Sequence, residues 1–307
     1  MYDLIVIGGG PAGLTATIYA IRKRLNVLLV TKDLGGKTNF RLALPWVEDY
    51  ERKGFSVIRG LEVVDKFRRE LEYLDFARHM EAVENVRKDG DNFMVSTRGE
   101  AELPTRAIIV ASGTKQMLLN VPGEKEYMMR GMCYSALSYA PLFIDRTVIV
   151  IGDGELAQRS AGELATIAKQ VTVVCECEDH MDTPLAKKLI AAENVSILSG
   201  YKVLEVKGDD QFARSVLLED PQGGQIELEA DGTFIEKALI PNSQIVKDLV
   251  DMDDFYRIKI DSANRTSQPG IFAAGDVTNT YAEQVLVAVG EGTKAALSAY
   301  DYLLPEL

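Results

Sequence analysis

Three sets of residues in this sequence have the types and spacing to do chemistry. Gly8, Gly10 and Gly13 stand in G-x-G-x-x-G spacing directly after the apolar run Leu4 to Ile7. Glycines so placed let a backbone approach a pyrophosphate. Pro11 presets the first helical position, and the N–H groups of the first turn face the anion, so the chemistry is dinucleotide binding. A second apolar run, Thr147 to Ile151, enters Gly152, Asp153, Gly154, Glu155, Leu156 and Ala157 and offers a second place of the same kind. The third set is Cys175 and Cys177, a C-x-C at the end of the strand Val171 to Val174. Period-two alternation puts such residues on one face. They read as a redox pair, as a metal site with His180, or as two incidental cysteines. The last is favoured because neither spacing matches a four-ligand zinc signature, and no metal site is assigned.

These residues need elements to hold them. Leu14, Ile18 and Ile21 are spaced to pack a helix on a sheet, and Asn26 to Val30 reads as the strand after it. Leu61, Val64, Phe67, Leu71 and Leu74 mark a helical stripe over 61 to 79, and residues 81 to 110 alternate about a turn at Asp89-Gly90-Asp91. Strands over roughly 195 to 235 complete the second glycine unit. The segment Ile271 to Asp276 leads to a last helix from about Ala282, opened by Thr280 and Glu283 as a capping box. The fold class is α/β, with two doubly wound dinucleotide-binding domains, the second inserted in the first.

Composition narrows the partners. The net charge of −12 is uneven, about +1 over residues 1 to 112, −8 over 113 to 243 and −5 beyond. Acidity of this kind argues against nucleic acid or an anionic membrane as partner. Three cysteines fit a reducing compartment, and no apolar run approaches the roughly 18 residues of a membrane span. The first strand starts at residue 3, which leaves no room for a signal peptide, so a soluble cytoplasmic protein is expected. Two histidines leave little room for Ser-His-Asp chemistry.

In order, the chain shows GGGPAG, GG-K, ASGT with VPGE, a second glycine fingerprint, LIPNS, GIFAAGDV and EQVLVAVGEG. That order resembles the thioredoxin reductase family of two-domain flavoproteins over essentially the whole chain. The resemblance implies an FAD domain formed by residues 1–115 and 244–307, an inserted domain at 116–243 that binds NADPH in the family, and a homodimer. Carried over by motif, Gly8, Gly10, Pro11, Ala12 and Gly13 hold the pyrophosphate, and Gly35, Gly36 and Lys37 with Ala111, Ser112 and Gly113 line the FAD. Gly275 and Asp276 take the ribitol, and Glu283, Gln284 and Val285 lie at the flavin end of the last helix. The N-terminus of that helix, aimed at the flavin, would stabilise a reduced flavin by on the order of 1 kcal/mol.

Three departures shape the expected activity. The family's C-x-x-C falls on Ser135-Ala136-Leu137-Ser138, and a hydroxyl can neither form nor attack a disulfide as a thiolate does. Cys133 nearby reads as a small buried residue. Where the family holds the 2′-phosphate of NADPH with His-Arg-Arg, this chain has Cys175-Glu176-Cys177 followed by Glu178 and Asp179, so NADPH is disfavoured. Glu176 leaves NADH open as an acceptor for a ribose hydroxyl, although it lies one place late. A second flavin nucleotide, another dinucleotide or a vestigial site are the alternatives. Thr31 stands where the family has a ribose-binding Glu, at a cost of roughly 1 kcal/mol in FAD binding. Lys32 beside it is either a phosphate ligand or a solvated lysine. The expectation is an FAD-dependent oxidoreductase without the usual dithiol, reduced by NADH, an electron carrier or a second nucleotide, and oxidised by a small molecule or carrier protein. Its rivals are a non-catalytic flavoprotein and a disulfide reductase relocated to Cys175 and Cys177.

Overall fold

The computed structural model describes residues 1–40, 42–46, 61–177 and 183–307. It divides into two units, one of Met1–Asn39, Arg59–Lys115 and Ile240–Leu307, the other of Phe40–Ile58 and Gln116–Leu239. In chain order the first unit holds β1 (Tyr2–Ile7), α1 (Pro11–Arg22), β2 (Val27–Val30), α2 (Leu61–Glu72), β3 (Arg78–His79), β4 (Val83–Asp89), β5 (Asn92–Thr97) and β6 (Glu102–Val110). The chain leaves through β7 (Thr114–Gln116) and returns through β16 (Leu239–Pro241) to β17 (Ile271–Ala273) and α6 (Val285–Leu303).

The sheet of the first unit runs β3-β2-β1-β6-β5-β4, with β17 also paired to β6. Its nucleotide half is parallel, while β4, β5 and β6 form an antiparallel meander. The Asp89 to Asn92 turn closes that hairpin, with Gly90 at φ +62°. β1 shows why a continuous apolar run is needed in a strand covered on both sides. Leu4 and Val6 join one core cluster with Leu14, Ile18 and Ala295, whereas Ile5 and Ile7 join the other with Val95, Val246 and Ile258.

The second unit repeats the plan with β8 (Met132–Cys133), α3 (Ala136–Tyr139), β9 (Thr147–Ile151), α4 (Glu155–Ala165), β10 (Gln170–Cys175), α5 (Pro184–Ile190), β11 (Val195–Ser199), β12 (Lys202–Gly208), β13 (Ala213–Glu219), β14 (Gln225–Glu229) and β15 (Gly232–Ile235). A parallel sheet, β11-β10-β9-β15-β8, lies beside the antiparallel ladder β12-β13-β14. Val148 and Val150 pack with Leu164 and Phe234, and Ile149 and Ile151 with Val216 and Leu218 of the ladder. Trp46 belongs to this unit, its Nε1 donating to the Leu142 carbonyl at 2.8 Å. Among the described residues no helix is long and apolar enough to cross a membrane.

Two helix boundaries depart from the sequence pattern. The stripe over 61–79 stops at Glu72, because Arg78 and His79 leave the helix to pair with Leu29 and Val30 at the sheet edge. The last helix starts at Val285, not Ala282, and the Thr280 to Glu283 capping box does not form. Gln284 is the N-cap, in extended conformation and with no side-chain cap.

Candidate functional site

In the first unit the glycine turn is built by close backbone approach. A Cβ on Gly13 would sit 2.9 Å from the Gly8 carbonyl carbon, and one on Gly8 2.7 Å from the Ala111 carbonyl carbon. Gly10 and Gly113 differ from them: a Cβ at either meets nothing within 4 Å, so they border the open side of the turn. Leu14 is the first residue of α1 to donate to this turn, to the Gly10 carbonyl at 2.9 Å, which leaves the N–H groups of Ala12 and Gly13 without a helical acceptor. An open mouth with unpaired donors suits a pyrophosphate.

The loop after β2 closes one side of this cradle. Gly35 N–H donates to the Gly9 carbonyl at 2.7 Å and Gly36 N–H to Asp33 Oδ1 at 3.0 Å. The Thr31 hydroxyl donates to the Asp33 carbonyl at 2.7 Å and is buried, while Lys32 is exposed. Thr31 therefore shapes the loop from within. Asp33, which the sequence pattern did not single out, is the carboxylate that fixes Gly36.

On the other side Lys37 Nζ lies 2.8 Å from Asp276 Oδ2 and 2.6 Å from Thr114 Oγ1. A carboxylate has about four acceptor positions, so Asp276 keeps capacity for a ligand hydroxyl beside that ammonium. Ser112 Oγ donates to the Asn242 carbonyl at 2.8 Å, and Asn242 Nδ2 donates back to the Ser112 carbonyl at 2.9 Å. Gly275, at φ +78°, donates its N–H to the buried Glu291 Oε2 at 2.7 Å. A Cβ on Gly292 would overlap the Ala12 backbone, so Ala12 and Gly292 bring α1 and α6 together. Gln284 Nε2 donates to the Glu283 carbonyl at 2.9 Å just before Val285 opens α6. Gly8, Gly10, Pro11, Ala12, Gly13, Gly35, Gly36, Lys37, Ala111, Ser112, Gly113, Gly275 and Asp276 thus share one edge of one sheet. Asp33, Asn242 and Glu291 support this edge from behind: Asp33 acts within its own loop, Asn242 on Ser112 and Glu291 on Gly275.

The second unit has a corresponding turn after β9. A Cβ on Gly152 would sit 2.9 Å from the Ala157 Cβ and 2.8 Å from the Glu236 carbonyl carbon, whereas Gly154, the N-cap of α4, faces open space. Glu155 is exposed in the first turn and Leu156 half-buried. Asp153 Oδ1 accepts from the N–H groups of Glu176 at 2.5 Å and Cys177 at 3.1 Å, tying the glycine turn to the end of β10. Glu176 Oε1 meets Lys237 Nζ at 3.0 Å. The residues directly after β10 carry no cation of their own; Lys237 follows β15, so its neighbourhood to Glu176 appears only with the sheet order.

Ser135 Oγ donates to Ser138 Oγ at 3.2 Å, and buried Glu236 accepts from the Ala136 N–H at 2.7 Å. Burial, with the Glu236 carboxylate second, holds the Cys133 thiol well above its ordinary range, and burial pushes the Tyr139 phenol up to about 12. No group there is prepared as a thiolate. The same-face reading of Cys175 and Cys177 fails, because β10 ends at Cys175 and the alternation ends with it. Cys175 is buried, its Sγ 3.4 Å from Ser199 Oγ, while Cys177 is exposed. His180, Glu178 and Asp179 lie outside the described residues, and among those described no group of three or more His, Cys, Asp or Glu could hold a metal.

Two strand-glycine-helix turns, each on the parallel strands of its own sheet, define a protein with two dinucleotide-binding folds. The chain belongs to the pyridine nucleotide-disulphide oxidoreductase family, whose model matches residues 2–292. It is similar to the thioredoxin reductase from Streptococcus pyogenes, with 34% identity and a TM-score of 0.87, covering 99% of each chain. It is 33% identical over 307 residues to the F component of the alkyl hydroperoxide reductase of Pseudomonas aeruginosa, covering 99% of this chain and 58% of that one. The same component in Escherichia coli is 34% identical over 310 residues, again with 58% of its length covered. The chain therefore spans somewhat over half the length of these curated relatives. Membership in this family implies FAD and a pyridine nucleotide as cofactors.

Proposed function

We propose that this protein is an FAD-dependent oxidoreductase that takes electrons from NADH and passes them from the flavin directly to a small acceptor or a carrier protein, without a dithiol relay. The observation that carries this reading is the Ser135–Ser138 pair, two hydrogen-bonded hydroxyls 3.2 Å apart where the resemblance expects a redox C-x-x-C. The first-unit cradle supports FAD: Gly8 to Gly13 on the pyrophosphate, Gly35 to Lys37 and Ala111 to Gly113 along the ligand, Asp276 on the ribitol and the Gln284 end of α6 at the ring. Bound FAD would supply hydride acceptance there, and the chain's residues orient it and balance its charge. Lys37 balances Asp276, and the helix N-termini favour the anionic groups.

Glu176, about twenty residues beyond Gly154 at the end of the second strand, supports a nucleotide with an unphosphorylated adenosine ribose in the second unit. Buried Cys175 beside exposed Cys177 disfavours a relocated dithiol. The active form is a homodimer in the cytoplasm. Anaerobic mixing with each nucleotide tests the donor. Bleaching of the flavin band by NADH, with NADPH much slower, is the expected result; faster bleaching by NADPH refutes the assignment.

A further inference from the structure

The Lys237–Glu176 contact lies in an unusual place. Gly152 follows β9, Glu176 follows β10 and Lys237 comes just after β15, and β9 lies between the other two in a parallel sheet. The 3.0 Å ion pair therefore crosses the carboxyl edge of β9, above the glycine turn where a parallel sheet binds its ligand. Its side chains are 22% and 44% exposed, and an ion pair this open to water holds only weakly. Asp153 fixes the backbone beneath Glu176 through two N–H groups, so the Glu176 carboxylate is aimed by a rigid support.

We propose that Lys237 and Glu176 form a two-part nucleotide clamp, in which the ion pair opens on binding, Glu176 accepts from a hydroxyl of the adenosine ribose and Lys237 pairs with the pyrophosphate of the same ligand. The inference rests on the NADH reading above. It assigns two separate jobs: Glu176 selects against a 2′-phosphate by charge, and Lys237 adds affinity for any dinucleotide. Lys237 also offsets the carboxylates of Asp153, Glu155 and Glu176 around the turn, which would otherwise repel a pyrophosphate.

Calorimetric titration of the FAD-loaded protein with NAD⁺ and NADP⁺ separates these jobs without turnover. The parent should bind NAD⁺ more tightly by about tenfold or more, the worth of one charge-assisted hydrogen bond. Lys237→Gln should weaken both ligands by a similar factor of about ten. Glu176→Gln should weaken NAD⁺ and bring the ratio of the two affinities toward one. Thermal midpoints of both variants should stay close to the parent's, since the pair is half-solvated. Loss of NADP⁺ binding alone in Lys237→Gln would make Lys237 a reader of the 2′-phosphate and overturn the clamp. Unchanged or tighter NAD⁺ binding in that variant would overturn it too, leaving a structural pair or a bar across the site. A parent that binds neither ligand would instead refute the NADH reading itself.

Discussion

Replacing Gly10 by Val should separate ligand binding from folding. Gly10 has φ −74° and ψ −177°, an extended conformation open to any residue, and a Cβ there meets no protein atom within 4 Å. The protein itself loses only the N-cap preference of Gly over Val, about 1 kcal/mol, or roughly 3 °C in the melting temperature of the flavin-free chain. The ligand loses much more. A branched side chain in the mouth of the turn keeps a phosphate from the N–H groups of Ala12 and Gly13. Two charge-assisted hydrogen bonds at about 1.5–3 kcal/mol each make that a loss of well over a hundredfold in FAD affinity. Gly13→Ala is the contrast, because its Cβ would press on the Gly8 carbonyl and must move backbone, costing about 2–3 kcal/mol and roughly 5–10 °C. The assay is the ratio of flavin to protein absorbance after purification, with melting of the flavin-free forms by circular dichroism. A Gly10→Val protein with full flavin would show that the phosphate does not lie in the mouth of this turn, and one as destabilised as Gly13→Ala would show that the position is not open.

Other outcomes follow from the same structure. Glu291→Ala should destabilise the protein by about 1–3 kcal/mol in chemical denaturation, because it orphans the buried Gly275 N–H, and Glu291→Gln should recover part of the loss by keeping an acceptor. Asp209, held down to about 2 by the N–H groups of Phe212 and Gln211 and by Arg214, has a folded pKa below its unfolded value. Its contribution is therefore present above the ordinary 3.8 and lost as pH falls through about 2, and its carboxyl carbon shift should titrate there by NMR, moving upward in Arg214→Ala. Alkylation followed by mass spectrometry should label Cys177 first and Cys133 only on unfolding, since one thiol is exposed and the other fully buried.

Much of this was legible in the chain because its signals are local. Leu4 to Ile7, the glycines after it and the helix Pro11–Arg22 are contiguous, so strand, turn and helix follow from period and glycine spacing alone. Contacts that join distant segments were not legible. Lys237 reaches Glu176 only through the order β10-β9-β15, and Asn242 locks Ser112 across the insertion of the second unit. Local patterns also misled where tertiary pairing took over. Arg78 and His79 pair with β2 rather than extend α2, Gln284 stays extended and so starts α6 late, and β10 ends before alternation can bring Cys177 beside Cys175.

In the proposed function the flavin is the sole two-electron centre, and an anaerobic reductive titration with dithionite tests this without regard to the natural donor. One two-electron equivalent per FAD should bleach the flavin completely, with no lag and no further uptake. A second equivalent per FAD, abolished in a Cys175→Ser, Cys177→Ser double variant, would contradict it by revealing a redox-active disulfide in communication with the flavin.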